Sequence, residues 1–364
     1  MGLKIGIVGL PNVGKSTVFN ALSKAGAHVA NYPFCTIDPN IGVVPVPDPR
    51  LQKLAEIYKP LKVTPTTIEF VDIAGLVKGA STGEGLGNQF LGHIKEVDAV
   101  LHVVRCFEDP NVVHVSGKVD PIQDIEIIQT ELCLKDLETV SSRIKRLEKT
   151  AKGGDKEAKI TMSVAQKAAE LLEAGTPIRK GNWTRDEVPP LRELQLVTQK
   201  PVLYGANVRE SDLPKGGPLV EQVREIARRD GSQVVIICGK IEAEVAELSD
   251  EEAKTYLKEF GLQESGLYQL IRLGYELLGL VTFLTAGEKE VRAWTVQKGA
   301  TAPEAAGIIH SDFERGFIRA EVMRYDDLIR YGSQQVVKEK GLYRLEGKEY
   351  VVQDGDVIYF RFNV

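Results

Sequence analysis

Short runs of apolar residues with the character of β-strands alternate with helical patterns through the first two thirds of the chain. Near-continuous apolar strands separated by helices are typical of a parallel sheet that is covered by helices on both faces. The pattern therefore predicts an α/β domain. Its strand-like runs are Lys4 to Leu10, Thr67 to Asp72, Ala99 to Phe107, Pro201 to Val208 and Val234 to Cys238.

A long helical pattern interrupts this alternation between Asp124 and Gly175. Apolar residues recur every three to five positions, break at Gly153-Gly154-Asp155 and then resume. We interpret this segment as two antiparallel helices that are joined by a glycine turn. With its flanking residues it forms a predicted insertion over residues 124–198. Between Arg143 and Lys159 it carries seven basic and three acidic residues, so its tip is predicted to be positively charged.

Another change of pattern occurs near residue 278. Alternating runs surround one short helical stretch near Pro303 to Ile309, and Asp354-Gly355-Asp356 predicts a turn before the last strand. The sequence thus predicts two domains. They are an α/β domain over residues 1–277, interrupted by the insertion, and a small mixed α+β domain over residues 278–364.

The loop after the first strand-like run has the sequence GLPNVGKST and fits the pattern G-x-x-x-x-G-K-[ST]. Gly9 and Gly14 stand where backbone N–H groups must turn toward phosphate oxygens without a side chain in the way. Lys15 can bring a positive charge to the β and γ phosphates, and the Ser16 hydroxyl can ligate Mg²⁺. This motif predicts a nucleoside triphosphate site.

Two further segments extend this predicted phosphate site. Asp72 ends a strand-like run in a D-x-x-G motif, where it can hold a Mg²⁺-bound water while the Gly75 N–H meets the γ phosphate. The segment NYPFCT contains Thr36, whose hydroxyl can complete the Mg²⁺ shell in a first switch loop. Alternatively, this segment is a plain surface loop.

The residue after D-x-x-G is Leu76, whereas Ras-like enzymes use a glutamine there to orient the attacking water. Hydrolysis is therefore expected to be slow, to use another residue, or to need a partner. His114 follows a strand-like run and can position water, although a structural role is an open alternative. Asn12 can hold a monovalent cation such as K⁺ against the phosphates.

The site that would read the base departs from the guanine motif Asn-Lys-x-Asp. The chain has Asn207, Val208, Arg209 and Glu210 there. The aspartate of that motif accepts hydrogen bonds from N1–H and N2–H₂ of guanine, whereas adenine has an acceptor at N1 and no N2 amine. Two alternatives remain open: Glu210 still accepts both guanine protons, or the base is read elsewhere.

Five segments of the sequence together resemble the YchF, or Obg-like ATPase, family. They are GLPNVGKST, NYPFCTIDPN, DIAGLVKGASTGEGLGNQFL, the helical insertion with KGGDKEAK, and KEVRAWTVQKGATAPEAAGIIHSDFERGFIRAE. The resemblance covers essentially all 364 residues. It implies a Ras-like P-loop domain with a coiled-coil arm and a C-terminal TGS domain of β-grasp fold.

The resemblance also implies functional residues. It assigns Mg²⁺ to Ser16 and Thr36, a catalytic role to His114, and ATP in preference to GTP at the altered motif that contains Asn207, Val208 and Glu210. The implied activity is that of an ATPase that associates with ribosomes. The residues assigned to the phosphates are Asn12, Val13, Gly14, Lys15, Ser16 and Thr17.

Charge and composition limit the partners. The net charge of −5 argues against a surface that binds nucleic acid everywhere, so contact with rRNA would be regional, at the basic tip. A plain solvated surface is the alternative for that tip. The chain shows no signal peptide and no apolar run of membrane-spanning length, so a cytoplasmic location is expected. A monomer is expected as well. Four separated cysteines suggest neither zinc nor disulfides.

Three functions are consistent with these features. The first is a slow Mg²⁺-dependent ATPase that acts as a ribosome-linked switch. The second is an Obg-like GTPase that uses Glu210 to read guanine. The third is an RNA-binding or ribosome-binding module in which the nucleotide is a structural ligand.

Overall fold

The computed structural model describes residues 3–27, 40–73, 94–114, 117–152 and 155–363. These residues divide into two compact units. The first comprises Met1–Val44 and Glu69–Leu270, and the second comprises Pro45–Ile68 and Ile271–Val364.

The strands form two six-stranded sheets, with the orders β2-β4-β1-β5-β6-β7 and β11-β10-β12-β8-β9-β3. The strands are β1 (Lys4–Val8), β2 (Ile41–Pro45), β3 (Lys62–Thr64), β4 (Thr67–Asp72), β5 (Ala99–Arg105), β6 (Val202–Asn207), β7 (Gln233–Ile237), β8 (Leu280–Ala286), β9 (Glu290–Gln297), β10 (Phe317–Arg324), β11 (Arg344–Glu346) and β12 (Asp356–Phe362). Among the described residues, the α-helices are α1 (Lys15–Ala27), α2 (Pro49–Tyr58), α3 (Pro121–Lys152), α4 (Lys156–Glu173), α5 (Val188–Glu193), α6 (Gly217–Asp230), α7 (Gly239–Val245), α8 (Asp250–Glu259), α9 (Gly266–Leu277), α10 (Ala302–Ile309), α11 (Ser311–Arg315), α12 (Tyr325–Tyr331) and α13 (Gln334–Glu339).

The first sheet confirms the predicted α/β architecture. Strand β1 pairs in parallel with β4 and β5, β5 pairs in parallel with β6, and β6 pairs in parallel with β7. All residues of β5 and β6 are buried, as expected for central strands of a sheet with covered faces. The carboxyl ends of these strands lie along one edge, and in such sheets that edge is the usual position for a ligand.

The predicted helical segment consists of α3 and α4. Gln129, in the first third of α3, donates through Nε2 to the carbonyl of Gly175 just beyond α4, so the two helices run antiparallel. Val140 and Cys133 of α3 pack with Val164 and Ala168 of α4 in one buried cluster. The apolar residues that recur in the sequence therefore form the contact between these two helices. The predicted glycine turn at residues 153–154 lies outside the described residues.

In the second unit, β8 and β9 form an antiparallel pair, β12 runs parallel to β8, and β10 runs antiparallel to β12. The predicted short helix is α10. The predicted turn before the last strand is present, with Gly355 at a φ of 82°. Helices α11, α12 and α13 had no clear apolar period in the sequence and were not predicted.

The division of the chain differs from the predicted boundary between residues 1–277 and 278–364. Residues 45–68 belong to the second unit, and the units separate between Leu270 and Ile271. The physical reason lies in α2 and β3. Leu51 and Leu54 of α2 pack in the cluster that contains Leu284, and β3 pairs in parallel with β9. This short segment packs in a core whose other residues lie far along the chain, so local patterns in the sequence did not show the boundary.

In the described parts of the chain, no helix combines the length and the apolar character that a membrane crossing requires.

Candidate nucleotide-binding site

Two glycines of the GLPNVGKST loop are required by their surroundings. Gly9 has a φ of 155°, and a Cβ there would lie 2.5 Å from the carbonyl oxygen of Val103 in β5. Gly14 has a φ of 96°, and its Cβ would lie 2.3 Å from Nδ2 of Asn207. Both contacts are too close for any side chain, so the loop takes this shape only with glycine at both positions. It connects β1 to α1, as the phosphate-binding motif requires.

Lys15, the first residue of α1, is buried, and its Nζ donates a hydrogen bond of 2.8 Å to the carbonyl of Leu10. Burial lowers the pKa of Lys15, and the nearby Asp72 carboxylate opposes that shift. The ammonium group is thus held inside the loop and attracted toward Asp72. Phosphate oxygens in the loop would replace the single carbonyl with charged acceptors.

Asp72 ends β4 and provides a candidate acceptor for a cation. Its Oδ1 is buried and has no hydrogen-bond partner among the described residues. Burial raises the pKa of Asp72, and Lys15 opposes the rise. A buried carboxylate oxygen without a donor, near the phosphate loop through its interaction with Lys15, fits a hydrated Mg²⁺, which prefers oxygen ligands. Two other predicted site residues, Thr36 and Gly75, lie outside the described residues.

A cavity of about 800 Å³ opens beside the loop. We call it the P-loop cavity. It is lined by Asn12, Gly14 and Thr17, by Phe107, Glu108, Asp109 and Val112 after β5, by Asn207 at the end of β6 and residues 208–211 after it, and by residues 238–240 after β7. Most of these residues follow the carboxyl ends of parallel strands. The volume is sufficient for a nucleotide-sized ligand.

Asn207 holds the P-loop cavity together through the protein backbone. Its Nδ2 donates a hydrogen bond of 2.9 Å to the carbonyl of Val13, and its Oδ1 accepts one of 3.1 Å from the N–H of Gly239. Val208 was also predicted to contact the base, but its backbone N–H already donates to the carbonyl of Ile237. Asn207 therefore fixes the walls of the cavity.

Glu210 is half-buried at the same cavity, and its Oε1 lies 2.5 Å from Nζ of Lys240. Hydrogen bonding to Glu210 raises the pKa of Lys240, so the lysine is charged in this pair. Lys240 was not predicted from the sequence. Its position three residues after the end of β7, in the segment Cys238-Gly239-Lys240, was the available signal.

His114 lies close to the P-loop cavity, although its side chain does not line it. Asn12, which lines the cavity, contacts the segment just before His114, since its Nδ2 donates to the carbonyl of Val113. The His114 ring is buried, with Nε2 3.0 Å from Oδ2 of Asp124. The ring therefore contacts the start of α3 in this structure.

Arg105 is a residue that the sequence analysis missed. It is buried at the end of β5, and its guanidinium group donates to the carbonyls of Phe107, Asp109 and Val112. These bonds shape the segment that forms one wall of the P-loop cavity. Across the cavity, Nη2 of Arg209 donates to the carbonyl of Glu108. An arginine at the end of a mostly apolar run was the signal in the sequence.

A glycine loop between a parallel β-strand and a helix, a lysine inside the loop and a lined cavity at the strand ends define a P-loop nucleotide-binding protein of the α/β class. Residues 4–142 match the family profile described as "50S ribosome-binding GTPase", and residues 280–363 match that of the YchF GTPase C-terminal domain, described as a protein of unknown function (DUF933). The chain belongs to the YchF family.

Full-length relatives support this assignment. The chain is 59% identical to "Ribosome-binding ATPase YchF" of Bacillus subtilis and 58% identical to the protein of that name from Escherichia coli O157:H7, with all of both chains covered in each case. A solved structure, "Structure of the Schizosaccharomyces pombe YchF GTPase", is 42% identical. It matches with a TM-score of 0.89 over 99% of this chain and 98% of that chain. The names of these relatives thus differ in the nucleotide, ATP or GTP.

Proposed function

We propose that this chain is a Mg²⁺-dependent ATPase that hydrolyses ATP slowly to ADP and phosphate and acts as a nucleotide-controlled switch on ribosomes. The relatives named ribosome-binding ATPase support both parts of the proposal, since they match over the whole chain. Slow turnover is inferred from Leu76, which cannot orient water as the glutamine of Ras-like enzymes does.

The ion pair of Glu210 with Lys240 is the observation that carries the choice of ATP. A guanine reader needs a carboxylate with both oxygens available to N1–H and N2–H₂. Here a lysine ammonium already binds the carboxylate, and guanine would have to compete with that charge. Adenine presents an acceptor at N1 and does not need the carboxylate. The pair therefore lowers the affinity for GTP more than the affinity for ATP.

The phosphates would lie in the loop from Asn12 to Thr17, with Lys15 at the β and γ phosphates. Ser16, Asp72 and Thr36 would hold Mg²⁺, which supplies charge neutralisation for the transferred phosphoryl group. Gly75 would contact the γ phosphate and, with Thr36, respond to its loss. Asn12 Oδ1 would ligate K⁺. His114 would orient the attacking water after its ring turns toward the cavity.

The remaining parts of the chain would serve the ribosome contact. We infer that α3 and α4 form a coiled-coil arm and that the second unit contains a TGS domain of β-grasp fold. The exposed basic side chains Arg143, Lys145, Arg146 and Lys159 lie toward the far end of the helical pair, where they can meet rRNA phosphates. We further propose that the chain works in the cytoplasm as a monomer.

Two other functions remain candidates. An Obg-like GTPase is favoured by the name of the Schizosaccharomyces pombe structure and by the Glu210 carboxylate at the cavity. It requires that Lys240 release Glu210 when guanine binds. In a ribosome-binding module with a structural nucleotide, hydrolysis would have no role.

Turnover of ATP and of GTP, measured with and without purified ribosomal subunits, tests the proposal. We expect ATP to be hydrolysed faster at equal subsaturating concentration, and the chain to sediment with subunits. Lys15→Ala is expected to abolish hydrolysis, and a faster turnover of GTP would contradict the proposal. A Lys15→Ala chain that still meets every cellular requirement would favour the structural-ligand function.

A further inference from the structure

We propose that Asp124, in the first turn of α3, is a positioning residue that holds the His114 ring away from the P-loop cavity. The start of the helical pair would then control when His114 reaches the nucleotide. This inference rests on the proposed function, in which His114 orients the attacking water.

The contact between the two side chains is a buried one. Oδ2 of Asp124 lies 3.0 Å from Nε2 of His114, and the side chains are 2% and 4% exposed. At that distance a protonated Nε2 donates to the carboxylate. Water competes little for a hydrogen bond in such surroundings, and an ionised acceptor strengthens it. The hydrogen bond therefore stabilises the orientation in which the ring faces α3.

The backbone before the ring is already held at the cavity. The carbonyl of Val112, a cavity residue, accepts from Nη1 of Arg105 at 3.1 Å, and that of Val113 accepts from Nδ2 of Asn12 at 3.1 Å. The carbonyl of His114 accepts from the N–H of Gly117 at 3.0 Å. Three successive carbonyls are thus bonded, so rotation of the side chain is a simpler route to the cavity than movement of the loop.

Asp124 transmits the position of α3 to the ring. Its N–H donates to the carbonyl of Asp120 as part of the first helical turn, so the carboxyl group moves with the helix. Its Oδ1 has no hydrogen-bond partner among the described residues. Because hydrogen bonds weaken steeply with distance and angle, a shift of the helix start by about 1 Å would release the ring.

Steady-state kinetics of the full chain tests this inference. Asp124→Ala is expected to raise kcat for ATP about tenfold, since removal of a charged hydrogen bond shifts the ring population toward the cavity. KM should change less than about twofold, since no nucleotide contact is altered. In a His114→Ala background, Asp124→Ala should leave kcat unchanged. Glu126→Ala, an exposed carboxylate on the same helix, is the matched control and should match the wild type.

An unchanged or lower kcat in Asp124→Ala would overturn the inference, as would an increase that persists without His114. If the alanine variant unfolds, Asp124→Asn replaces it, and the weaker neutral hydrogen bond should give a smaller increase in the same direction. Imidazole ¹⁵N resonances provide a readout without turnover. His114 Nε2–H should exchange with water slowly in the wild type and rapidly in Asp124→Ala, and equal exchange rates would also overturn the inference.

The failure of the proposed function would look different. A His114→Ala chain that hydrolyses ATP at the wild-type rate would remove the catalytic assignment of His114 itself. A chain in which His114→Ala abolishes turnover while Asp124→Ala leaves it unchanged would retain the proposed function and reject only the role of Asp124.

Discussion

Nζ of Lys240 lies 2.5 Å from Oε1 of Glu210, and both residues line the P-loop cavity. The two side chains come from different strand ends, β6 for Glu210 and β7 for Lys240. Glu210 stands where a guanine-reading motif has its aspartate. The Lys240 ammonium group already binds the carboxylate that such a motif would offer to guanine. We therefore expect base selectivity to depend on a residue thirty positions further along the chain.

Removal of this ion pair should improve the binding of GTP. In Lys240→Met the Glu210 carboxylate loses its cation and can accept from guanine, so the ratio of the GTP and ATP dissociation constants should fall roughly threefold to fivefold. Competition with a fluorescent nucleotide measures both constants. Lys254→Met, at an exposed lysine of α8, is the control and should leave the ratio unchanged. An equal ratio in both lysine variants would show that Lys240 does not control base selectivity.

Asn207→Ala should weaken the binding of ATP and the binding of GTP equally. The substitution removes the bonds to Val13 and Gly239, and it leaves buried backbone groups without partners. The free energy of unfolding should fall by about 2 kcal/mol. Urea denaturation and the two dissociation constants measure these effects, with the exposed Asn111→Ala as control. A loss confined to one nucleotide would show instead that the Asn207 side chain reads the base.

Glu242 should make stability depend on pH. It is buried in α7, and burial raises its pKa from the ordinary value of 4.5 to about 7, while bonds from the Gly266 region oppose the rise. The folded chain binds this proton more tightly than the unfolded chain. Its contribution to the free energy of unfolding is thus complete below about pH 4.5 and is lost as the pH rises through about 7, by about 3 kcal/mol in total.

Glu242→Gln should remove this loss. Its free energy of unfolding, relative to the wild type, should rise by about 2 to 3 kcal/mol between pH 5 and pH 8. Denaturation curves at both values measure the difference. The exposed Glu251→Gln should track the wild type at each pH. A parallel pH profile for Glu242→Gln and the wild type would mean that Glu242 does not titrate in this range.

The basic end of the helical pair should determine salt-dependent ribosome binding. Replacement of Arg143, Lys145, Arg146 and Lys159 by glutamine should weaken sedimentation with subunits and lower the salt slope by up to about 3. ATP turnover without ribosomes should remain unchanged. The matched control replaces four exposed basic residues outside the helical pair, Arg228 and Arg229 of α6 and Lys254 and Lys258 of α8, by glutamine. Equal losses in both sets of variants would point to net charge as the cause.

Local sequence signals were sufficient for the main sheet and the phosphate loop. Gly9 and Gly14 identified the phosphate loop in the sequence. Each has a backbone conformation and a close contact that exclude other residues, so glycine is required at both positions. The helical pair was predicted because its apolar period coincides with the packing between α3 and α4. Such features depend on neighbours in the sequence and on the periods of helices and strands.

Other features depend on contacts between residues that lie far apart in the chain. Residues 45–68 join the second unit because α2 packs on strands more than two hundred residues later. The pairing of Lys240 with Glu210 becomes visible only when β6 and β7 lie side by side. His114 was chosen by its place after a strand, and its contact with Asp124 depends on where α3 begins.

The dissociation constants of ATP and GTP, measured side by side with Mg²⁺ by isothermal titration calorimetry, test the central claim most directly. We predict that ATP binds about threefold to fivefold more tightly than GTP, since guanine must compete with Lys240 for Glu210. Tighter binding of GTP would contradict it, and would show that the Glu210 carboxylate reads guanine despite the lysine.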